Sequence, residues 1–335
     1  MARRGGWRRR GRAPRFRYED AHGNRIADEE RLERIRALVI PPAWRDVWIS
    51  PNPRAKLQAT GVDSAGRTQY LYHPDFRAAQ EQAKFERLVR FGELLPGLRD
   101  QIRHDLRTGP YELGWVSGVA VTLINRAWFR VGSERHARGT RTHGVTTLYK
   151  SHVSVHGERL EFRFRTKNRA LVRTTLVDTR LASAIRDLLE LPGSRLFRFE
   201  RDGELANLTA PLVNDYIGDN LGEGFTAKDF RTWGGTLTAA IALAEHDPPA
   251  SEAEAKRVLA SVMRRVGDEL GNTPAVARSS YVSPAVVEQY LDGVTLDRFQ
   301  PNGRPLSAGQ RGLSRNERAL LSLLRSWRIR DRRAA

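Results

Sequence analysis

The sequence predicts an α+β protein: a small β-rich N-terminal domain, then a larger, mainly α-helical domain with a small antiparallel sheet set into it. Three observations predict this. Short alternating segments separated by turn residues dominate positions 16–78. Apolar residues at helical spacing dominate 79–300. Between them in character lies 152–177, where the period returns to two. With 335 residues, 40% of them hydrophobic, the chain is long enough for two domains and a sizeable core.

Taken in order, residues 1–17 carry eight arginines and no acid, the first carboxylate being Glu19. Residues 1–15 are therefore expected to form a disordered basic arm, either a non-specific phosphate grip or a solvated tail. Ala21-His22-Gly23-Asn24 reads as a turn and Asp28–Leu38 as a short helix. Lys56–Asp63 and Thr68–His73 flank Ser64-Ala65-Gly66-Arg67 as a hairpin. Pro74 opens a long helix to about Leu106, with a break expected near Pro96, so the first domain ends near residue 78. Helices follow at Val116–Phe129, Ala182–Leu191, Pro211–Leu221, Ala227–Glu245 and Ser251–Leu270. The strands fall at 152–156, 159–166 and 170–177, with Phe162 and Phe164 on one face and Arg163 and Arg165 on the other. A Gly/Pro-rich linker at 301–312 leads to an amphipathic helix, Arg315–Ile329, capped by Ser314. The domains expected are thus 1–15, 16–78, 79–300 and 301–335.

Composition limits the partners. No run of about 18 apolar residues occurs, and the first thirty residues lack a secretory core, so a cytoplasmic protein is expected. The absence of cysteine removes disulfides, thiolate zinc sites and a cysteine nucleophile. Six lysines against 51 arginines partly reflect what a GC-rich genome would encode, but the net charge of +18 needs another reason. Such a surface accumulates on nucleic acid, DNA or RNA, and less readily on an anionic membrane. No Walker A loop, Gly-x-Ser-x-Gly elbow or credible metal cluster is present, His152 and His156 being the nearest approach to one. Chemistry without ATP or a resident divalent metal is expected.

Reversible cleavage of a DNA strand needs a nucleophile that stores the bond energy in a covalent phosphodiester. Tyrosine suits this, although with a pKa near 10 only about one phenol in a thousand is ionised at neutral pH. Neighbouring arginines favour the phenolate and steady the charge growing on phosphoryl oxygens, and a further cation must protonate the leaving oxygen. The sequence holds such residues in separated pieces. Phe129-Arg130-Val131-Gly132 places Arg130 at a helix-to-loop junction, and Phe164-Arg165-Thr166-Lys167-Asn168 puts Lys167 at a hairpin tip. Thr226-Ala227-Lys228-Asp229-Phe230-Arg231-Thr232 opens a helix with a variant capping box and holds Arg231 in its first turns. Gly271-Asn272-Thr273-Pro274 stops a helix, and Tyr281 comes nine residues after Asn272. Each piece alone is better explained by a surface arginine, a turn lysine, a helix stop or a packed aromatic.

Their order and spacing together resemble the catalytic set of the small type IB DNA topoisomerases of bacteria and poxviruses. The resemblance covers about residues 16–295, where Gly66-Arg67-Thr68-Gln69-Tyr70-Leu71-Tyr72 is similar to the family's base-contacting hairpin. It implies the tyrosine recombinase/topoisomerase IB-like fold and an enzyme that nicks duplex DNA, relaxes supercoils and religates. Tyr281 would become linked to the 3′ end, with Arg130, Arg231 and Asn272 holding the non-bridging oxygens and Lys167, assisted by Arg130, protonating the 5′ oxygen. Gln69, Tyr70 and Tyr72 would meet bases, and Arg135 and His136 further DNA. A monomer at the nucleoid is the simplest expectation. Poxvirus members carry His where this chain has Asn272, which offers only a neutral hydrogen bond. A tyrosine recombinase is the nearest rival, but it would show His-x-x-Arg where this chain has Lys228-Asp229-Phe230-Arg231. A non-catalytic basic nucleic-acid-binding protein fits the composition without needing Tyr281.

Overall fold

The computed structural model describes residues 5–107, 109–300 and 312–334. The chain divides into two compact units, Met1–Phe85 and Glu86–Ala335, a few residues beyond the expected boundary.

The first unit is built on strands β1 (Trp7–Arg12), β2 (Arg15–Glu19), β3 (Arg45–Ile49), β4 (Leu57–Val62) and β5 (Thr68–Tyr72), with helix α1 (Glu29–Ala37) between β2 and β3. They form one antiparallel sheet in the order β2-β1-β3-β4-β5. One face is covered by a core of Trp7, Ile26, Ile35, Val47, Ile49 and Ala59. Asp28 caps α1 by accepting from the Arg31 amide at 2.9 Å.

The basic arm expected at 1–15 is corrected here: from Trp7 onward it is a β-hairpin paired into the sheet through β3, while residues 1–4 lie outside the described residues. The reason is period-two alternation hidden beneath the charge. Trp7 is buried, and Arg9 points the same way to donate to the carbonyls of Ile40, Pro41 and Trp44 at 3.3, 3.0 and 2.7 Å. An arginine that satisfies three carbonyls belongs inside a fold.

The second unit begins within α2 (Pro74–Asp105) and continues through α3 (Leu113–Ala127), α4 (Glu134–Thr140), β6 (Val153–His156), β7 (Arg159–Arg165), β8 (Leu171–Val177), α5 (Thr179–Glu190), β9 (Arg198–Arg201), β10 (Glu204–Asn207), α6 (Ala210–Leu221), α7 (Ala227–Ala244), α8 (Glu252–Leu270), α9 (Pro274–Ser280), α10 (Pro284–Leu291) and α11 (Arg315–Ala334). Helix α2 continues through Pro96 without interruption, against expectation. Phe91, Leu95, Leu98 and Ile102 are all buried around that point, and their packing outweighs a proline cost of about 3 kcal/mol. Strands β6, β7 and β8 form an antiparallel sheet in that order; Phe162 and Phe164 are buried while Arg163 and Arg165 are exposed. Helix α3 is buried along most of its length, and α7 packs beside it.

The linker expected at 301–312 lies, up to residue 311, outside the described residues. Beyond it α11 starts with a reciprocal cap: Ser314 N donates to Glu317 Oε2 at 2.7 Å, and Glu317 N to Ser314 Oγ at 3.3 Å. Glu317 is buried, receiving Arg99 Nη2 on Oε1 at 2.7 Å, Arg99 Nη1 on Oε2 at 3.0 Å and Trp233 Nε1 at 3.3 Å. This pins α11 to the helix that carries Arg231. No helix among the described residues is long and apolar enough to cross a membrane.

Candidate active site

Four of the sequence-selected residues come together in the second unit, each delivered by a helix end. Helix α3 stops at Trp128, which adopts a left-handed conformation, φ 52°. The chain after it is held in extended form, Arg130 O accepting from Val145 N at 2.9 Å and Val131 O from Thr146 N at 2.8 Å. Gly144 permits this close approach, since a Cβ there would sit 2.4 Å from Arg130 O. The Arg130 guanidinium then ties three distant segments together. It donates to Thr166 Oγ1 at 3.3 Å, Gly271 O at 3.0 Å and Asn272 Oδ1 at 2.7 Å.

Arg231 lies in the first turns of α7, where Thr226 N donates to Asp229 Oδ2 at 2.9 Å in the expected capping box. Its buried guanidinium donates to Trp128 O and, at 2.8 Å, to Leu270 O. The nine-residue interval from Asn272 to Tyr281 also acquires a physical meaning. Gly271 closes α8 in left-handed conformation, Thr273 caps α9, and the seven residues of α9 place Tyr281 at its C-terminal cap. Gly235 on α7 receives the tyrosine backbone: an added Cβ would lie 2.9 Å from Tyr281 O and 3.0 Å from Tyr281 Cβ. Thr236 Oγ1 donates to Tyr281 O at 3.1 Å and accepts from Ser283 N at 3.1 Å, fixing the turn beyond.

The Tyr281 ring is half-buried, and Arg231 Cζ stands 5.0 Å from its centroid. Burial raises the pKa of the phenol, but the positive charges of Arg231, Arg130 and Lys228 outweigh it, leaving the group below its ordinary value. The arginines feel the reverse: burial and the charge of Arg231 lower Arg130 to about 10 against the pull of Tyr281, and burial lowers Arg231. A cleft of about 430 Å³ opens beside them, bordered by Trp128, Arg130, Thr166, Arg231 and Gly271. The ring is not lost in an apolar core.

Lys167 begins a single helical turn in the β7–β8 loop and is exposed. It shares a smaller cavity, about 240 Å³, with Arg130, Gly132, Ser133, His136, Thr142 and His143. His136 and Arg135 are exposed on α4, whose Glu134 is held by Arg195 Nη2 at 2.8 and 3.0 Å.

In the first unit, Tyr70 and Tyr72 are exposed on one face of β5, with ring centroids 6.2 Å apart. Gln69 alternates to the opposite face and donates to Asp63 Oδ2 at 2.9 Å, so the three hairpin residues do not share a surface. Sequence reasoning missed Thr166, Gly271 and Trp128 as partners of Arg130 and Arg231. Two of these act through backbone carbonyls, which no side-chain pattern announces.

Over residues 73–296 the chain matches the family described as eukaryotic DNA topoisomerase I, catalytic core, and over 15–63 that described as bacterial DNA topoisomerase IB, N-terminal domain. The chain belongs to the type IB DNA topoisomerases. The DNA topoisomerase 1B of Acanthamoeba polyphaga mimivirus is 31% identical over 321 residues, covering 93% of this chain and 92% of the relative. The DNA topoisomerase I of Monkeypox virus and the DNA topoisomerase 1B of Vaccinia virus (strain Copenhagen) are each 21% identical over 245 residues, 72% of this chain and 75% of theirs. This topoisomerase is therefore an isomerase that relaxes DNA, and DNA is its substrate.

Proposed function

We propose that the topoisomerase works through a 3′-phosphotyrosyl intermediate formed by Tyr281. The phenol oxygen attacks the scissile phosphorus, the bond from phosphorus to the 5′ oxygen breaks, and the phosphodiester passes to tyrosine. The free 5′ end then turns under torque before its hydroxyl attacks the phosphotyrosine and restores the strand. The observation that carries this reading is the phenol held against Arg231, within the charge of Arg130 and Lys228.

Arg130 and Arg231 supply donors to the non-bridging oxygens as negative charge grows there. Asn272, oriented by its Oδ1 contact to Arg130, adds a neutral donor through Nδ2. Without a charged histidine at that position, about 1–2 kcal/mol of transition-state stabilisation passes to the remaining cations. Lys167 protonates the departing 5′ oxygen, assisted by Arg130. The phosphotyrosyl bond conserves the energy of the broken one and the guanidinium groups neutralise the phosphate, so neither ATP nor a divalent metal is needed. One chain carries the full set, and it acts as a monomer, on DNA in the cytoplasm.

Tyr281→Phe is expected to abolish relaxation of a supercoiled plasmid, with or without EDTA, while leaving duplex binding near normal. Plasmid relaxation by that variant, or a covalent DNA adduct mapped to another residue after denaturant trapping, would refute the nucleophile. Lys167→Ala should cleave slowly, and a 5′-sulfur leaving group, which needs no proton, should restore its rate; absence of rescue removes Lys167 from the acid role.

A further inference from the structure

The hairpin that replaces the expected disordered arm sorts its arginines by face. In β1 and β2 the opposed pairs are Arg8 with Glu19, Arg10 with Arg17 and Arg12 with Arg15. Directly opposed residues of an antiparallel pair share a face, so Arg8, Arg10, Arg12, Arg15 and Arg17 all project to one side. The same side can be followed across the whole sheet. Arg8 opposes Trp48, Trp48 opposes Thr60, and Thr60 opposes Tyr70. The arginines of β1–β2 thus occupy the same face as Tyr70 and Tyr72, whereas Arg9 lies on the core side and is held by three carbonyls.

Among the described residues, Arg12, Arg15 and Arg17 are exposed without an ion-pair partner and so can engage a ligand. Arg10, Arg12, Arg15 and Arg17 are exposed, and among the described residues Arg10 alone of the five forms an ion pair, to Glu19 at 2.8 Å. Alternate positions along a strand lie ~6.8 Å apart, and four strand spacings separate β2 from β5 by ~19 Å. Laid along a duplex rising ~3.4 Å per base pair, that span covers between five and six base pairs. Two tyrosines at one edge and a double row of guanidinium groups at the other match a groove contact with a phosphate contact about half a helical turn away.

We propose that the outer face of this sheet is one continuous duplex-DNA surface, in which Arg12, Arg15 and Arg17, with Arg8 and Arg10 behind them, grip phosphates flanking the bases met by Tyr70 and Tyr72. This rests on the function proposed above, and it assigns the N-terminal hairpin a task in affinity rather than in chemistry. Arg15 and Arg17 lie within the region matched by the bacterial N-terminal family, residues 15–63, and Arg8, Arg10 and Arg12 on β1 precede it.

The test is equilibrium binding of the full-length protein to a labelled 30-base-pair duplex across a salt series. The triple variant Arg12→Gln/Arg15→Gln/Arg17→Gln is expected to bind with a slope of log K against log salt shallower by about 2–3, near 0.9 for each lost phosphate contact. Its affinity near physiological salt should fall at least tenfold. The corresponding triple lysine variant keeps the charge and should keep the slope. A glutamine variant with the wild-type slope overturns the proposal, and so does a lysine variant that loses as much as the glutamine one, since that loss would come from the fold. If the wild type makes no covalent adduct at all, the catalytic reading fails instead, and the salt series still reports on the hairpin.

Discussion

The arginines of the two units are put to opposite uses. In the second unit Arg130 and Arg231 are drawn inward, tied to the carbonyls of Gly271, Trp128 and Leu270, and held with lowered pKa beside a phenol. In the first, Arg12, Arg15 and Arg17 stand in solvent without an ion pair among the described residues, placed on one face by strand register. Position matters to the inward pair and charge to the outward row. Arg9 shows that the division follows side-chain direction rather than location in the chain: one residue from Arg8 and Arg10, it is buried and bound to carbonyls.

Exchange of arginine for lysine is the sharpest way to break this comparison. Arg231→Lys keeps a charge but loses the fork that reaches Trp128 O and Leu270 O, and cleavage should fall about 10²–10³-fold in a single-turnover assay. The same exchange at Arg17 should leave duplex binding unchanged within error. Equal tolerance at both positions would erase the distinction.

The next effect is on stability. Burial raises the pKa of Glu317, but its bonds from Arg99, aided by Ser314 and Trp233, outweigh this and hold the carboxyl below its usual value. A carboxylate with a depressed folded pKa contributes stability above its unfolded pKa, near 4.5, and that contribution fades as pH falls through the folded value. Glu317→Gln, which leaves Arg99 uncompensated, should cost roughly 3 kcal/mol at neutral pH, seen as a lower Tm. It should also flatten the acid limb of a Tm–pH curve, and an unaltered limb would show that the pair does not anchor α11.

The smallest change is Gly235→Ala, which presses a methyl group on the Tyr281 backbone. Cleavage should slow about ten- to a hundredfold while duplex affinity stays constant, as expected for a displaced nucleophile. A normal rate would mean that the turn at Tyr281 shifts without penalty.

Much of the second unit was legible in the sequence because its helices bury long apolar faces, and such periodicity survives any surface charge. The hairpin of β6–β8 was legible for the same reason, Phe162 and Phe164 alternating with arginines. Strands β1 and β2 were not: with arginine at most positions, only Trp7, Phe16 and Tyr18 carried the period, and Arg9 masqueraded as a surface residue. The order of Arg130, Lys167, Arg231, Asn272 and Tyr281 pointed to the family and to the chemistry proposed above, but Thr166, Gly271 and Trp128, which orient the guanidinium groups, act through groups that separated motifs do not reveal. For Gln69 the motif carried no information about which side of β5 it occupies; period two alone would have separated it from Tyr70.

The short helix between Asn272 and Tyr281 works as a ruler. Because α9 is a single short helix closed at both ends by caps, Asn272 and Tyr281, the proposed phosphate clamp and nucleophile, travel as a single body. In the mechanism proposed above, the end joined to the protein would stay beside its own resealing groups while the other end of the nicked strand swings, so rejoining would need no search. One residue inserted into that helix would swing the ring by about 100° around its axis and uncouple the two.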